Sequence, residues 1–209
     1  MSRIFCLAFA VAACAGLLSA CGQSSQTAAS GEMDMGDPNS KVTLVEYASV
    51  TCIHCARFDH DVFPAIKAKY IDTKKIHYVF KEFLTPPAEV AASGFVLARC
   101  AAKDGGKERY FQVIEALFRA QDEMFQTQDY RGPYLRVAKS VGMSEAQFNT
   151  CLNDEAALNG VQTRMQAGID QDKISGTPTF IINGKQVASG EVTEQTLATA
   201  IDTALKAAH

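Results

Sequence analysis

The chain has 209 residues, 47% hydrophobic and 21% charged, enough apolar material for a folded domain with appendages. Its net charge of −3 at pH 7 gives no sign of a nucleic-acid partner, because phosphate recognition needs a basic face.

Arg3 is the only charged residue before Cys21, and residues 4–18 form a nearly unbroken apolar run. Such a run is short for a membrane span and suits the core of an export signal. Leu18-Ser19-Ala20-Cys21 follows, and it resembles the lipobox of bacterial lipoproteins. That resemblance implies that residues 1–20 are a signal peptide and that Cys21 carries a diacylglycerol and an acylated amine. Several acyl chains anchor a protein stably to a membrane. A plain secretory signal with an incidental Cys21 is the bland alternative. Residues 21–39 are polar and small with no apolar period, which reads as a flexible tether. Met33 and Met35 could act as soft copper ligands, but a solvated linker explains them more simply. Gly22 after the lipid cysteine weakly resembles outer-membrane sorting, with the protein facing the periplasm.

Order is expected from residue 40 onward. Residues 42–48 are apolar and β-branched, a buried strand. After Cys52 the period changes: Phe58, Val62, Ile66 and Tyr70 share one helix face, with Pro64 kinking it. Residues 76–83 read as a second strand, stopped by Pro86-Pro87. Residues 88–173 look helical almost throughout. A first helix over 88–103 ends at Gly105-Gly106, and a second covers 108–120. Ser144 with Gln147 forms a capping box, and Asp154 caps the next helix. Strands return at 179–182 and 185–188, joined by Asn183-Gly184 as a tight hairpin. Thr193 then caps a last helix. Without the helical block, residues 40–208 form an α/β unit with a small central sheet.

Thr51-Cys52-Ile53-His54-Cys55 lies where a strand ends and a helix begins. Residues three apart in a first helical turn share a face, at a separation that a disulfide tolerates. Cys52 stands at the helix terminus, where free N–H groups and the dipole favour an anion. A helix terminus supplies up to ~2 kcal/mol, roughly one and a half pKa units. Cys52 is therefore the expected nucleophile and Cys55 the resolving partner. His54, if cationic or donating, would stabilise the thiolate further. A zinc site would need a second Cys or His pair at ligand spacing, and Cys100 and Cys151 are too far apart to supply it.

Ser175-Gly176-Thr177-Pro178-Thr179 joins the helical block to the hairpin. A proline just before a strand and far downstream of CxxC resembles the cis-proline loop of the thioredoxin superfamily. Together with the helical insertion, Glu46-Tyr47, Phe58 and Gly176-Thr177-Pro178-Thr179-Phe180, the resemblance narrows to DsbA-like thiol:disulfide oxidoreductases. It implies a thioredoxin-like fold with an inserted helical domain at about 88–173. It implies catalysis by a Cys52–Cys55 redox-active disulfide, with Thr177 and Pro178 presenting backbone to substrate peptide and no bound cofactor or metal. The implied partners are reduced exported proteins and a quinone-linked membrane oxidase that recycles the enzyme. Ile53 departs from the family pattern, which usually has proline there, and this bears on the redox potential. Isomerase-type relatives carry a dimerisation domain that the tether here cannot form, so a monomer is expected. The alternatives are a reductase or isomerase on the same fold, or a metal-binding lipoprotein using Cys52, His54 and Cys55.

Glu46 interrupts an apolar strand. It is either a proton acceptor near Cys55, sharing a network with Lys81, or a carboxylate facing solvent at the sheet edge. Lys81 reads more simply as a surface residue. Cys100 and Cys151 both fall in the helical block. They form either a structural disulfide, worth roughly 4 kcal/mol by chain entropy, or two buried thiols; a pair that modulates the active site ranks third.

Overall fold

The computed structural model describes residues 31–208. The expected export signal, Cys21 and the expected tether up to residue 30 lie outside the described residues. Strands β1 (Met33–Gly36), β2 (Thr43–Ala48), β3 (His77–Glu82), β4 (Thr179–Ile182) and β5 (Lys185–Ser189) form one five-stranded sheet in the order β1-β3-β2-β4-β5. Strands β2 and β3 run parallel, and every other pair is antiparallel. The parallel pair requires a crossover. It is made by α1 (Ile53–Asp61), α2 (Phe63–Ile66) and a π-helical turn at Lys67–Ile71. Pro64 sits in the first turn of α2, and Val62 joins the two helices with non-ideal backbone, φ −118°. A proline has no N–H to return to the preceding turn, which accounts for the break. Phe58, Val62, Ile66 and Tyr70 nevertheless all point into the core.

The tether expected over 21–39 needs correction at its far end. Residues 33–36 are a strand, antiparallel to β3, with Met33 fully buried opposite Phe80. Four residues are too few for an alternating pattern to stand out. What orders them is the free edge of β3, whose N–H and C=O groups would otherwise go unpaired. Gly36, at φ +85°, then turns the chain where a Cβ would lie 2.2 Å from the Ile76 carbonyl oxygen. The folded unit therefore begins before residue 40, and the Met33 sulfur belongs to the core.

The helical block comprises α3 (Ala88–Thr127), α4 (Arg131–Ser140), α5 (Glu145–Leu152) and α6 (Glu155–Asp172), and α7 (Glu194–Ala207) follows the hairpin. Helix α3 is broken at Gly106, φ 67° and ψ −167°, where the sequence places its Gly-Gly stop. The Ser144–Gln147 capping box and the Asp154 and Thr193 caps are all formed. Asn183 and Gly184 both have positive φ, so the hairpin closes with the twist its strands need. Phe95, Leu97, Tyr110 and Leu117 of α3 belong to the same apolar cluster as Leu44, Phe80 and Phe180 of the sheet. The insertion thus shares its core with the sheet. On the opposite face, Gly168 of α6 lies against Tyr47, leaving no room for a Cβ.

Cys100 on α3 and Cys151 on α5 are joined by a disulfide with Cα atoms 6.3 Å apart. It closes a segment of 51 residues within the insertion. In the chain-entropy account a loop of that length restrains the unfolded state by about 4 kcal/mol. Replacing both cysteines by alanine is expected to lower the unfolding free energy by ~2–4 kcal/mol in denaturant titration. An unchanged midpoint would show that the bridge restrains little.

Candidate active site

The site forms where β2 gives way to α1. The turn between them is held from below. The Cys52 N–H donates to the Ser49 carbonyl at 3.0 Å. The Ser49, Thr51 and Thr85 hydroxyls form a buried cluster at 2.8–3.1 Å, tying the turn to the loop after β3. Gln121, buried in α3, donates through Nε2 to the Val50 carbonyl at 2.9 Å. Phe58 packs on Phe180, ring centroids 4.6 Å apart, and fixes α1 against β4.

Cys52 occupies the N-cap of α1 with extended backbone, φ −91° and ψ 116°. A cap normally offers a side-chain oxygen to the free amides of the first turn. Here the Cys52 Sγ accepts from the Cys55 N–H at 3.4 Å. The same sulfur lies 3.4 Å from the carbonyl oxygen of Thr177, whose bond to Pro178 is cis. Thr177 Oγ1 is buried without a hydrogen-bond partner of ordinary length, and its interaction with Cys52 also favours the thiolate. The hydrogen bond from the Cys55 thiol is the largest influence, and the Cys52 pKa is pulled down to about 6. Cys55 is fully buried, and burial pushes its thiol well above the ordinary value. The proton therefore stays on Cys55 and the charge on Cys52. In this state both thiols are free.

The His54 side chain has a partner that its place between the cysteines does not reveal. Its Nδ1 lies 2.9 Å from Glu191 Oε1, and Arg57 Nη1 lies 2.7 Å from the same oxygen. The backbone amide of His54 favours the Cys52 thiolate.

Glu46 is buried and accepts a 2.7 Å hydrogen bond from the Tyr78 hydroxyl. The solvent-facing alternative therefore falls. Burial pushes its pKa up to about 8, and its charge in turn acts on Cys55. Lys81 does not share this network. It follows Tyr47 in register, on the other face of the sheet, and its Nζ reaches Asp172 at 3.4 Å. Glu46 opens onto a cavity of about 310 Å³ lined by Asp59, Phe63, Tyr78, Phe111 and Phe118 among others. Asp59 is raised to about 7, chiefly by burial. Its spacing of four from Cys55 could have marked it as facing the same way. Tyr78, Gln121 and Glu191 carried no local signal, because their partners come from distant segments. Among the described residues, no group of three or more His, Cys, Asp or Glu is placed to hold a metal.

A family model described as Thioredoxin matches residues 28–203. A protein named as a protein-disulfide oxidoreductase from Rickettsia conorii is 34% identical over 84% of this chain, and one from Rickettsia typhi is 32% identical over the same share. The chain spans about three fifths of the length of these relatives, 61% and 62%. The crystal structure of Wolbachia pipientis alpha-DsbA1 superposes with a TM-score of 0.76 at 28% identity, covering 85% of this chain and 92% of that one.

The Glu46 carboxyl titrates near 4.5 in an open chain and near 8 in the fold. The folded state thus holds a proton that the unfolded state releases. Stability from this group is full below about 4.5 and is lost as pH rises through about 8. Glu46→Gln is expected to flatten that fall, gaining on the wild type by a few kcal/mol between pH 4 and 9 in denaturant unfolding. Parallel curves for the two proteins would contradict the buried, protonated carboxyl.

Proposed function

The chain belongs to the thioredoxin family, in its DsbA-like form, and from that premise we propose that it donates the Cys52–Cys55 disulfide to reduced, exported proteins. The observation that carries the reading is the placement of the two thiols: Cys52 at the helix N-cap with its sulfur accepting the Cys55 N–H, which draws its pKa down, and Cys55 buried, which raises its own. A stabilised thiolate favours the reduced enzyme, and a disulfide whose reduced form is stable is an oxidant.

The exchange balances as follows. A substrate thiolate attacks the Cys52 sulfur, the Cys52–Cys55 bond breaks, and Cys55 leaves as a thiolate that takes up a proton. A second substrate thiolate then attacks the substrate sulfur of the mixed disulfide and expels Cys52. The substrate loses two electrons and gains a disulfide, and the enzyme leaves as a dithiol. Glu46, electrostatically linked to Cys55, is suited to deliver that first proton. The Thr177 carbonyl beside Cys52 is suited to hold an extended peptide by its backbone. Ile53, 47% exposed, offers such a peptide an apolar contact next to the sulfur. The cysteines carry the electrons, so no bound cofactor is required. A membrane oxidase that takes those electrons on to a quinone completes the cycle. Cys21 is the proposed lipid anchor, holding a monomer on the envelope and facing the periplasm. Among the described residues no helix is long and apolar enough to cross a membrane.

Oxidised protein mixed with a reduced, unfolded disulfide protein is expected to restore its activity within minutes, with Cys52→Ala inactive. Cys55→Ala, reacted in the presence of glutathione disulfide, is expected to accumulate mixed disulfides on non-reducing gels. An equilibrium with glutathione that places the pair near thioredoxin's potential, about −270 mV, would instead assign it to reduction or isomerisation. Cys21→Ser is expected to move the protein from the membrane to the soluble fraction of cells expressing the full chain. Retention in the membrane fraction would remove the lipid anchor.

A further inference from the structure

His54, Arg57 and Glu191 meet at the rim of the site, and nothing in the exchange just described uses their contact. Glu191 belongs to the turn after β5. That turn is set by its backbone. Gly190, at φ +76°, donates its N–H to the Pro178 carbonyl at 2.8 Å. The hydroxyls of Thr179 and Ser189 meet one residue further back, at 3.2 Å. The next residue after Gly190 is therefore fixed relative to the cis-proline loop, and its carboxylate reaches across to α1. One oxygen, Glu191 Oε1, takes both His54 Nδ1 at 2.9 Å and Arg57 Nη1 at 2.7 Å. A carboxylate shared by two donors on successive turns of α1 has little freedom to release either.

His54 stands two residues after Cys52, and its imidazole is the ring that could donate to the thiolate. Its Nδ1 is held by Glu191 at 2.9 Å, and an acidic neighbour offsets positive charge on the ring. We propose that Glu191 is a positioning residue that limits the oxidising strength of the Cys52–Cys55 pair by keeping the His54 side chain away from the Cys52 sulfur. This inference rests on the proposed disulfide exchange and specifies how its driving force is set. Its size is bounded by exposure. The Glu191 side chain is 62% exposed and His54 47% exposed, so solvent screens the contact.

The test is equilibration with glutathione. The enzyme disulfide takes two electrons from two glutathione thiols, which leave as glutathione disulfide. Cys55 keeps one of the released protons, and the other goes to solvent when Cys52 remains a thiolate. The wild type, Glu191→Gln, His54→Ala and the double variant are titrated in parallel at pH 7. Glu191→Gln is expected to shift the equilibrium about threefold toward the reduced enzyme, which is about 14 mV more oxidising at 29.6 mV per tenfold. The Cys52 thiolate titration is expected to fall by about half a unit with it. In the His54→Ala background the same change at Glu191 is expected to do nothing measurable.

An unshifted Glu191→Gln beside an exchanging wild type overturns the inference and leaves the oxidoreductase reading in place. A shift that persists in the His54→Ala background means that the carboxylate acts on the thiolate directly, and overturns the role of His54. A wild type that exchanges no disulfide with glutathione removes the function and this inference together. Glu191→Asp, with a shorter reach, is expected to fall between wild type and Glu191→Gln.

Discussion

The structure depends on one sulfur acting as a helix cap. The Cys52 Sγ takes the place that a serine or aspartate oxygen fills at most helix starts, receiving the Cys55 N–H at 3.4 Å. A thiol is a poor cap and a thiolate a good one, so helix geometry and thiol acidity become one equilibrium. Every other feature of the site adjusts it. The carbonyl of Thr177 lies 3.4 Å from the same atom. The hydroxyl cluster of Ser49, Thr51 and Thr85 and the amide of Gln121 keep the turn from drifting as the charge comes and goes.

The second constraint is burial. Cys55, Glu46 and Tyr78 sit in the core, where a charge is disfavoured, and all three have raised pKa values. Cys52, by contrast, is only partly buried. One side of the pair faces solvent, where an approaching thiolate can reach it. Glu46, whose charge helps raise the Cys55 thiol, lines a cavity together with Asp59. The partly exposed thiol and the buried ionisable groups are thus both set by the helix that starts at Cys52. The helical insertion also builds this region, since α3 supplies Gln121 under the turn and Phe111 and Phe118 to the cavity wall.

Much of this was legible in the sequence where the signal is local. Cys52-Ile53-His54-Cys55 after a β-branched run announces a strand-to-helix turn with two thiols. Asn183-Gly184 announces its hairpin, and Ser144 and Asp154 their helix starts. The proline loop was readable only through its order relative to CxxC, because nothing local distinguishes Thr177-Pro178 from other turns. What escaped depends on partners from afar. The strand at residues 33–36 is ordered by the edge of β3 and has no pattern of its own. Glu46 could be read two ways because its burial depends on Tyr78 and the helices above it. His54 lies beside the thiolate in sequence, and its contact with Glu191, 137 residues on, has no local signal. Lys81, one register step from Glu46, is sent to the other face by the alternation of the strand.

The most direct test of the account is the titration of the Cys52 thiolate itself. Its absorbance near 240 nm is followed from pH 3 to 10 in the reduced protein, with Cys52→Ser as the blank. The account requires a single transition near pH 6, well separated from that of Cys55. A transition near the ordinary thiol value of 9 would mean that the sulfur caps the helix as a neutral group. The Cys52–Cys55 pair would then lack the driving force that the proposed chemistry needs.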